Sequence, residues 1–569
     1  MILKKHISII FCILHVSAVV QLAGAKEDLV PDPAKNTAKL DSLLTNLEQG
    51  TPHFEPVPDR WRGVPLAPYE LNVQGHILDP YNQNVLKGDY PIAGQNLFLI
   101  LTAITESTGE IFSVPTPSAV STSQVNNAGF FGNSQRLFFN ENLRFSLEFY
   151  KGNTAFRPRD FEIKIAPVFN LNYINVNENN DVNANVRAGV RRNDGHVAFQ
   201  ELFIEKHLFN MGRHYDFVSM KGGIQQLNSD FRGFIFNDSN LGVRLFGSAA
   251  SNRYQYNFTY FKMLEKDTNS ELNTIFDDRN QDVFIFNLYK QDFLKLGYTT
   301  QLSFHYNHDK PSVYVDDNGI PIRPAVLGNS QVHDIKAFYL GWAGDGHFGR
   351  LNVNHAFYQV LGRDTFNSLA GRPININAQM AALELSYDND WMRFRTSGFF
   401  ASGDANPNDR VGRGFDTILD LPFFAGGPFS YWNGRRIRLL GVNLTNRFSI
   451  VPNLRPAKAE GQANFVNPGL LLFNLGYDAE LTPKTKLVLN ANYLRFVDPT
   501  SVAIFVNQGA IGRDIGIDYG VGLLYRPYLN NNAQFTLSLN ALTPLSAFRN
   551  LYESSRTQFA VFSTVTFTY

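Results

Sequence analysis

Cysteine is almost absent from this chain: of 569 residues only Cys12 is one, and it lies in the extreme N-terminal segment. Once that segment is removed, no disulfide, thiolate nucleophile, cysteine-ligated zinc, c-type haem or iron–sulfur cluster can form. An excess of either charge is absent too. The 51 basic and 51 acidic residues cancel, which excludes a chain that grips nucleic acid through a globally basic surface. Charged residues are scarce, 18% against roughly 25% in ordinary soluble domains. Beyond the first 25 residues no run approaches the ~18 continuous apolar residues of a membrane helix. What the chain does have is aromatic residues, 14%. Low charge, many aromatics and no membrane helix together describe a transmembrane β-barrel, in which lipid-facing and lumen-facing residues alternate and cancel in any window.

Residues 1–25 carry Lys4 and Lys5, an apolar stretch from Ile7 to Val20, and Ala23-Gly24-Ala25. This is the order of a secretory signal peptide with a small-residue cleavage site. Cys12 is too early for a lipoprotein anchor. Cleavage leaves 49 basic against 51 acidic residues. Residues 26–95 differ from all that follows. Asp32-Pro33 opens a helix, Leu40, Leu43, Leu44 and Leu47 recur at helical spacing, and Gly50 ends it. A proline-rich run and a polar stretch to Asp89 follow. One short amphipathic helix cannot make a core alone, so this periplasmic segment is expected to plug the barrel, sit at its mouth or dock a periplasmic partner; a loosely ordered leader is the alternative.

From about residue 96 the hydrophobic period becomes two. Leu143, Phe145, Leu147 and Phe149 alternate with Arg144, Ser146, Glu148 and Tyr150; Ile515, Ile517, Tyr519, Val521 and Leu523 alternate with Asp514, Gly516, Asp518, Gly520 and Gly522. Nineteen such segments run from 96–106 to 557–569, among them 437–449. Each is as long as a tilted bilayer-spanning strand. Single-chain barrels of this kind have even strand numbers, so the expectation for residues 96–569 is an all-β antiparallel barrel of 18 strands, with 16 as the fallback. The last residues, Phe559, Val561, Val565, Phe567 and Tyr569, alternate and end on an aromatic carboxyl terminus. That ending resembles the terminal strands read by the outer-membrane barrel assembly machinery, with Phe567 and Tyr569 as the signal.

Arg393 and Arg395 are two apart and share the polar face of their strand, which is expected to be the lumen because mid-bilayer arginine facing lipid costs ~2–4 kcal/mol. The same parity makes Arg144, Lys164, Arg244 and Lys336 lumen candidates, with Glu148, Glu162, Glu384, Asp514 and Asp518 as their acidic counterparts. Opposed basic and acidic rows orient polar solutes and set ion preference; simple mutual pairing of these charges is the alternative. A long extracellular loop, 404–436, holds Phe415, Asp416, Arg435 and Arg436 and is expected either to cover the outer mouth or to fold inward as a constriction.

Asp404, Asn406 and Asn408 match the first, third and fifth positions of a calcium loop, but Asp409 stands where glycine belongs and Phe415 where the bidentate glutamate belongs. A weak calcium site and a hydrogen-bonded Asx turn both remain open; no other cofactor is expected. No GxSxG, HExxH or phosphate loop occurs, so enzymatic activity is not expected, although a Ser–His hydrolase inside a barrel leaves little local pattern.

The segment Ala401-Ser-Gly-Asp404-Ala-Asn-Pro-Asn-Asp409, followed by Gly414-Phe-Asp416, resembles a motif of the alginate-export and related outer-membrane porin families. The likeness covers residues 398–418. It implies an outer-membrane channel in a Gram-negative envelope, bathed in outer-membrane lipid, and more weakly a saccharide substrate. The expectation is therefore passive diffusion of polar, anionic or saccharide solutes through a hydrated lumen. The alternative is a barrel scaffold that docks export machinery through residues 26–95.

Overall fold

The computed structural model describes residues 84–89, 91–94, 96–115, 135–152, 158–212, 216–528 and 531–569. The signal segment and the helical and proline-rich parts of 26–95 lie outside these residues. Within 84–89, the Asn84 amide donates to Asp89 Oδ2 at 2.7 Å and the Leu86 amide to Asn84 Oδ1 at 2.8 Å, closing a polar turn.

Among the described residues eighteen antiparallel strands form one closed wall, and the two-residue strand Val411–Gly412 pairs parallel to one of them. In chain order they are β1 Leu97–Ser113, β2 Gln135–Lys151, β3 Phe161–Val176, β4 Arg191–Asn210, β5 Phe217–Asn228, β6 Asn237–Ala249, β7 Tyr254–Lys266, β8 Asn273–Lys290 and β9 Tyr298–Asp309. They continue as β10 Ile335–Phe348, β11 Leu351–Asn367, β12 Arg372–Asn389, β13 Met392–Ala401, β14 Leu470–Thr482, β15 Thr485–Phe496, β16 Asp514–Tyr525, β17 Ala533–Pro544 and β18 Gln558–Thr568. Closure is made by β18 against β1, from Ile104 opposite Thr568 to Phe112 opposite Ala560. Among the described residues no wall strand is left with an unpaired edge to recruit another chain.

The two ends of the barrel differ. At one end, two-residue turns join β10 to β11, β12 to β13 and β14 to β15; Asp390, in the second of these, takes the left-handed region at φ 54°, which aspartate tolerates better than most residues. At the same end the Tyr569 amide donates to Ala103 at 2.8 Å, so the barrel begins and finishes there. All long connections lie at the other end. This is the periplasmic–extracellular asymmetry of outer-membrane barrels. The outward positions of the strands are apolar: Leu302, Phe338, Leu340, Trp342, Phe357, Leu361, Leu471, Phe473 and Leu475 are all exposed. In water such a band would drive aggregation; here hydrocarbon solvates it. Tyr525, Phe535 and Phe567 form an outward aromatic row at the periplasmic end, with ring centroids 6.2 and 6.1 Å apart.

Residues 437–449, expected as a strand of the wall, are not in it. They belong to the connection 402–469 between β13 and β14, which turns into the lumen and folds there as a plug. The long loop is thus interior, and it extends well past residue 436. Its short hairpin, Ile437–Leu439 with Val442–Thr445, alternates like a wall strand, but its apolar side meets plug and not lipid. Phe415, Phe424, Tyr431, Trp432 and Phe465 are buried in one cluster with Phe261, Ile335, Tyr339, Tyr358, Ile376, Met380 and Phe399 of the wall. Among the described residues, no fully buried member of that cluster comes from β1 to β4, where only Phe112 of β1 packs against it, so the plug's apolar contacts lie mainly with the rest of the wall.

Small and polar residues of β15 to β17 seat the plug. A Cβ on Gly520 would stand 2.0 Å from the Phe429 carbonyl oxygen, and one on Gly522 2.3 Å from the Phe429 ring. Asn490 and Asn492 both donate to the Ala425 carbonyl at 3.1 Å, and Asn540 to Pro428 at 3.2 Å. Asp518 accepts from the Tyr431 amide at 2.8 Å and from the Ser430 hydroxyl. The connection 229–236 also folds inward. Asp230 accepts backbone amides from Arg232 to Ile235 and the Tyr358 hydroxyl at 3.0 Å.

Candidate functional site

A cavity of 380 Å³ lies between the plug and the wall of β1 to β4, towards the extracellular end. Six arginines line it: Arg136 of β2, Arg192 of β4, and Arg435, Arg436, Arg438 and Arg447 of the plug. Six carboxylates face them: Glu106, Glu110, Asp181, Glu271, Asp316 and Glu460. The plug arginines are placed by the hairpin's period of two. Ile437 and Leu439 enter the plug core, so Arg436 and Arg438 turn to the cavity.

Several of these charges are mutually satisfied. Glu110 accepts Arg435 at 3.0 Å and Arg447 at 2.8 Å, and Arg435 also lies over the Phe112 and Phe562 rings at 5.4 and 5.8 Å. Asp181 takes Arg136 at 2.5 Å and also Arg438. Arg436 pairs with Glu271 at 3.0 Å while its side chain stays 41% exposed. Arg192 has no ion pair among the described residues, and its Nε is buried without a partner. The acidic side is weakened by burial. Burial pushes Glu460 up to about 7, against a single hydrogen bond from Thr268 at 2.8 Å, and it also raises Asp316. Burial would raise Glu271 as well, but Arg436, Lys458 and Arg447 outweigh it and hold that carboxyl below its ordinary value.

Below this cavity the same side of the barrel carries a second charged surface. Lys164 meets Glu201 at 2.9 Å and Glu148 at 3.8 Å; Arg159 meets Glu162 at 2.8 Å and also Glu148; Lys221 meets Glu205 at 2.9 Å. Arg244 Nε donates to Asn257 at 2.7 Å, and Arg144 follows the inward parity of Glu148. These candidates are brought together on β2 to β6. Glu384 faces inward too, and pairs with Arg232 of the folded-in connection at 2.5 Å. Arg395 pairs with Asp478 at 2.9 Å, and Arg393 with Asp388 at the periplasmic rim, half exposed. They lie on the opposite side from the cavity and do not join the basic cluster.

Two expected lumen residues face outward. Lys336 follows the parity opposite to Ile335, Ala337 and Tyr339, which point in because the plug gives the lumen an apolar lining there. A β-bulge between Leu494 and Arg495 sends Ile515 inward and Asp514 outward, where it accepts Arg495 at 2.9 Å and the Tyr493 hydroxyl. Asp518 is inward but engaged in holding the plug. Phe415 and Asp416 lie in the plug interior, where Asp416 Oδ2 accepts Arg455 Nε at 2.7 Å and the Asn464 amide at 2.8 Å. Asp404 accepts the Asn406 amide at 2.9 Å and the Arg413 amide at 3.2 Å, an Asx turn. Among the described residues no group of three or more His, Cys, Asp or Glu side chains is placed to hold a metal ion. Sequence reasoning missed Arg136, Arg192, Arg447 and Glu460; the doublets Arg191-Arg192 and Arg435-Arg436 were the available signal.

A closed, even-stranded antiparallel barrel with an apolar outer band is the architecture of outer-membrane channels and transporters, and the outer membrane is where this fold places the chain. No family model and no curated protein matches the sequence. Among solved structures the chain is similar to the Pseudomonas aeruginosa outer-membrane protein OpdK, at 11% identity over 82% of this chain and 98% of that one with a TM-score of 0.42. The same values with a TM-score of 0.44 hold for an OpdK structure with vanillate. Acinetobacter baumannii OccAB4 gives 10% identity, 82% and 97% coverage and a TM-score of 0.42. No family is shown by these comparisons, the alginate-export family included; residues 398–418, which carried that resemblance, leave β13 and start the plug.

Proposed function

We propose that the chain is a passive outer-membrane channel for small polar solutes, with a preference for those carrying a carboxylate or another anionic group. The arginine-lined cavity carries this reading. With all groups ionised its six arginines and six carboxylates balance, and protonation of Glu460, poised at about 7, leaves it positive. Arg192 and Arg436 are the two arginines available to a solute: the first lacks an ion pair among the described residues, and the second is well exposed. A guanidinium fork fits a planar carboxylate. Loose binding suits conduction, since a solute must enter and also leave.

The charged side of β2 to β6 then lies on the route from this cavity to the periplasmic end. The experiment is reversal potential in planar bilayers under a salt gradient. The full-length protein is expected to prefer anions, and Arg192→Glu with Arg436→Glu to shift the reversal potential towards cations and to weaken block by benzoate. An unchanged reversal potential, or a protein that conducts no ions, overturns the proposal.

A further inference from the structure

Five outward residues on consecutive strands stand directly opposite one another near the extracellular rim. Lys262 of β7 faces Asp282 of β8, Asp282 faces His308 of β9, His308 faces Lys336 of β10, and Lys336 faces Arg363 of β11. Two residues towards the periplasm on the first four strands lie Tyr260, Phe284, Tyr306 and Phe338, with successive ring centroids 4.8, 6.2 and 4.7 Å apart. Such an aromatic row marks the boundary between hydrocarbon and headgroups. The charged row is therefore at headgroup height on the outer surface.

Carboxylates answer only part of it. Lys262 has Asp278 at 2.7 Å, Lys310 has Asp282 at 2.5 Å and His308 has Asp334 at 2.9 Å. Lys336 reaches Asp334 only at 3.7 Å, with half its side chain exposed. Arg363 is exposed and has no ion pair among the described residues. Lys336 and Arg363 thus oppose like charges on neighbouring strands, an arrangement that repels unless an anion lies between. Beside Arg363 the outer surface continues as amides. Asn375 stands opposite it, and Gln359, Asn377 and Gln379 hydrogen-bond one another at 3.0, 3.1 and 3.3 Å. These are polar groups among outward Phe357, Leu361 and Leu383, where an otherwise apolar belt would be expected.

We propose that this patch binds the phosphorylated sugar headgroup of an outer-leaflet glycolipid, with Lys336 and Arg363 sharing the phosphate, the amides meeting sugar hydroxyls and the aromatic row holding the acyl boundary. Charge complementarity selects an anion, and a position on the lipid-facing surface just above the aromatic row selects one attached to lipid.

The test is native mass spectrometry of the detergent-solubilised full chain with diphosphoryl lipid A, its dephosphorylated form, phosphatidylglycerol, and inorganic phosphate as competitor. Diphosphoryl lipid A is expected to be retained best, and Lys336→Gln with Arg363→Gln to weaken it by about tenfold or more, the loss of a charge-assisted contact. Lys206→Gln, an exposed change near the periplasmic end of β4, leaves retention unchanged. Channel conductance of the double variant stays at the parental value, which shows an intact barrel. Undiminished retention by the double variant, equal retention of dephosphorylated lipid A or phosphatidylglycerol, or displacement by inorganic phosphate each overturns the proposal.

Discussion

Asp416→Ala should unseat the plug while leaving the barrel wall intact. Asp416 and Arg455 are at most 1% exposed and pair at 2.7 Å. Arg455 also donates to the carbonyls of Thr417, Ile418 and Lys458, and Asp416 takes the amides of Thr417 and Asn464, both at 2.8 Å. One ion pair thus ties residues 416–418 to 455–464, the two arms of the plug. The Tyr339 hydroxyl of β10 joins this knot to the wall through the Asp416 carbonyl at 3.2 Å. Removing the carboxylate leaves a guanidinium buried without a counter-charge, which costs about 3–5 kcal/mol. At about 1.4 kcal/mol per factor of ten, the plug's equilibrium between seated and displaced states shifts by about two to three and a half orders of magnitude. No wall strand depends on this pair for its ladder. Single-channel recording should show larger, noisier conductance, while circular dichroism in detergent keeps the parental strand signal. Asp416→Leu with Arg455→Met removes both charges and should restore quiet, parental conductance, since apolar replacement of a buried pair is often neutral or better. Parental conductance in Asp416→Ala would refute the reasoning, because the pair would then not hold the plug.

Contacts at three further residues set the next outcomes. Glu460 ionises at about 7, so the cavity gains positive charge as pH falls through 7; anion preference should rise there, and Glu460→Gln should fix the channel in its low-pH state and flatten the pH dependence of reversal potential. Because its folded pKa is raised, Glu460 also adds stability fully present below its ordinary value of 4.5 and lost as pH rises through about 7, which thermal melts across pH 4–8 can detect. Gly522→Val places a side chain into the Phe429 ring and should cost about 1–3 kcal/mol by overpacking, read as plug displacement in conductance; parental recordings would count against the tight seat. Asp514→Leu removes an outward pair with Arg495, a contact of ~0–1 kcal/mol, and the hydrogen bond from Tyr493, and should leave ion selectivity untouched, which a salt-gradient reversal potential checks.

The strands were legible because a bilayer imposes a strict alternation: lipid admits apolar residues at every second position for the length of a crossing. The rule failed where lipid was not the solvent of the greasy face. Ile437, Leu439, Val442 and Leu444 alternate as well as any wall strand, yet the surface receiving them is the plug core. Lys336 was misassigned for the mirror reason: Ile335, Ala337 and Tyr339 are apolar because they face the plug, so the polar position is the outward one. Asp514 was lost to a one-residue bulge, which period counting cannot see. The arginine cavity depends on register between elements far apart in sequence, such as Arg136 and Arg438 on Asp181, and no local spacing encodes that.

A lumen that is apolar on one side and charged on the other follows from the same cause. An 18-stranded wall encloses more volume than its own side chains can fill. The inserted segment 402–469 fills part of that volume, and its buried carbonyls and amides must be met by protein. The wall meets them where glycine and asparagine make room and offer donors, on β15 to β17, and apolar lining extends the seat over β7, β8 and β10 to β14. Water and solute are left with the side on which plug and wall share charges and not apolar contacts. Arg435 and Arg447 on Glu110, together with Arg438 on Asp181, then serve twice: they hold the free edge of the plug at a fixed distance from β1 and the β3–β4 connection, and under the proposed function that distance sets the width left to a solute. Glu110→Gln weakens the hold on two plug arginines at once, so it should raise conductance and anion preference together; a change in one without the other would separate the structural role from the electrostatic one.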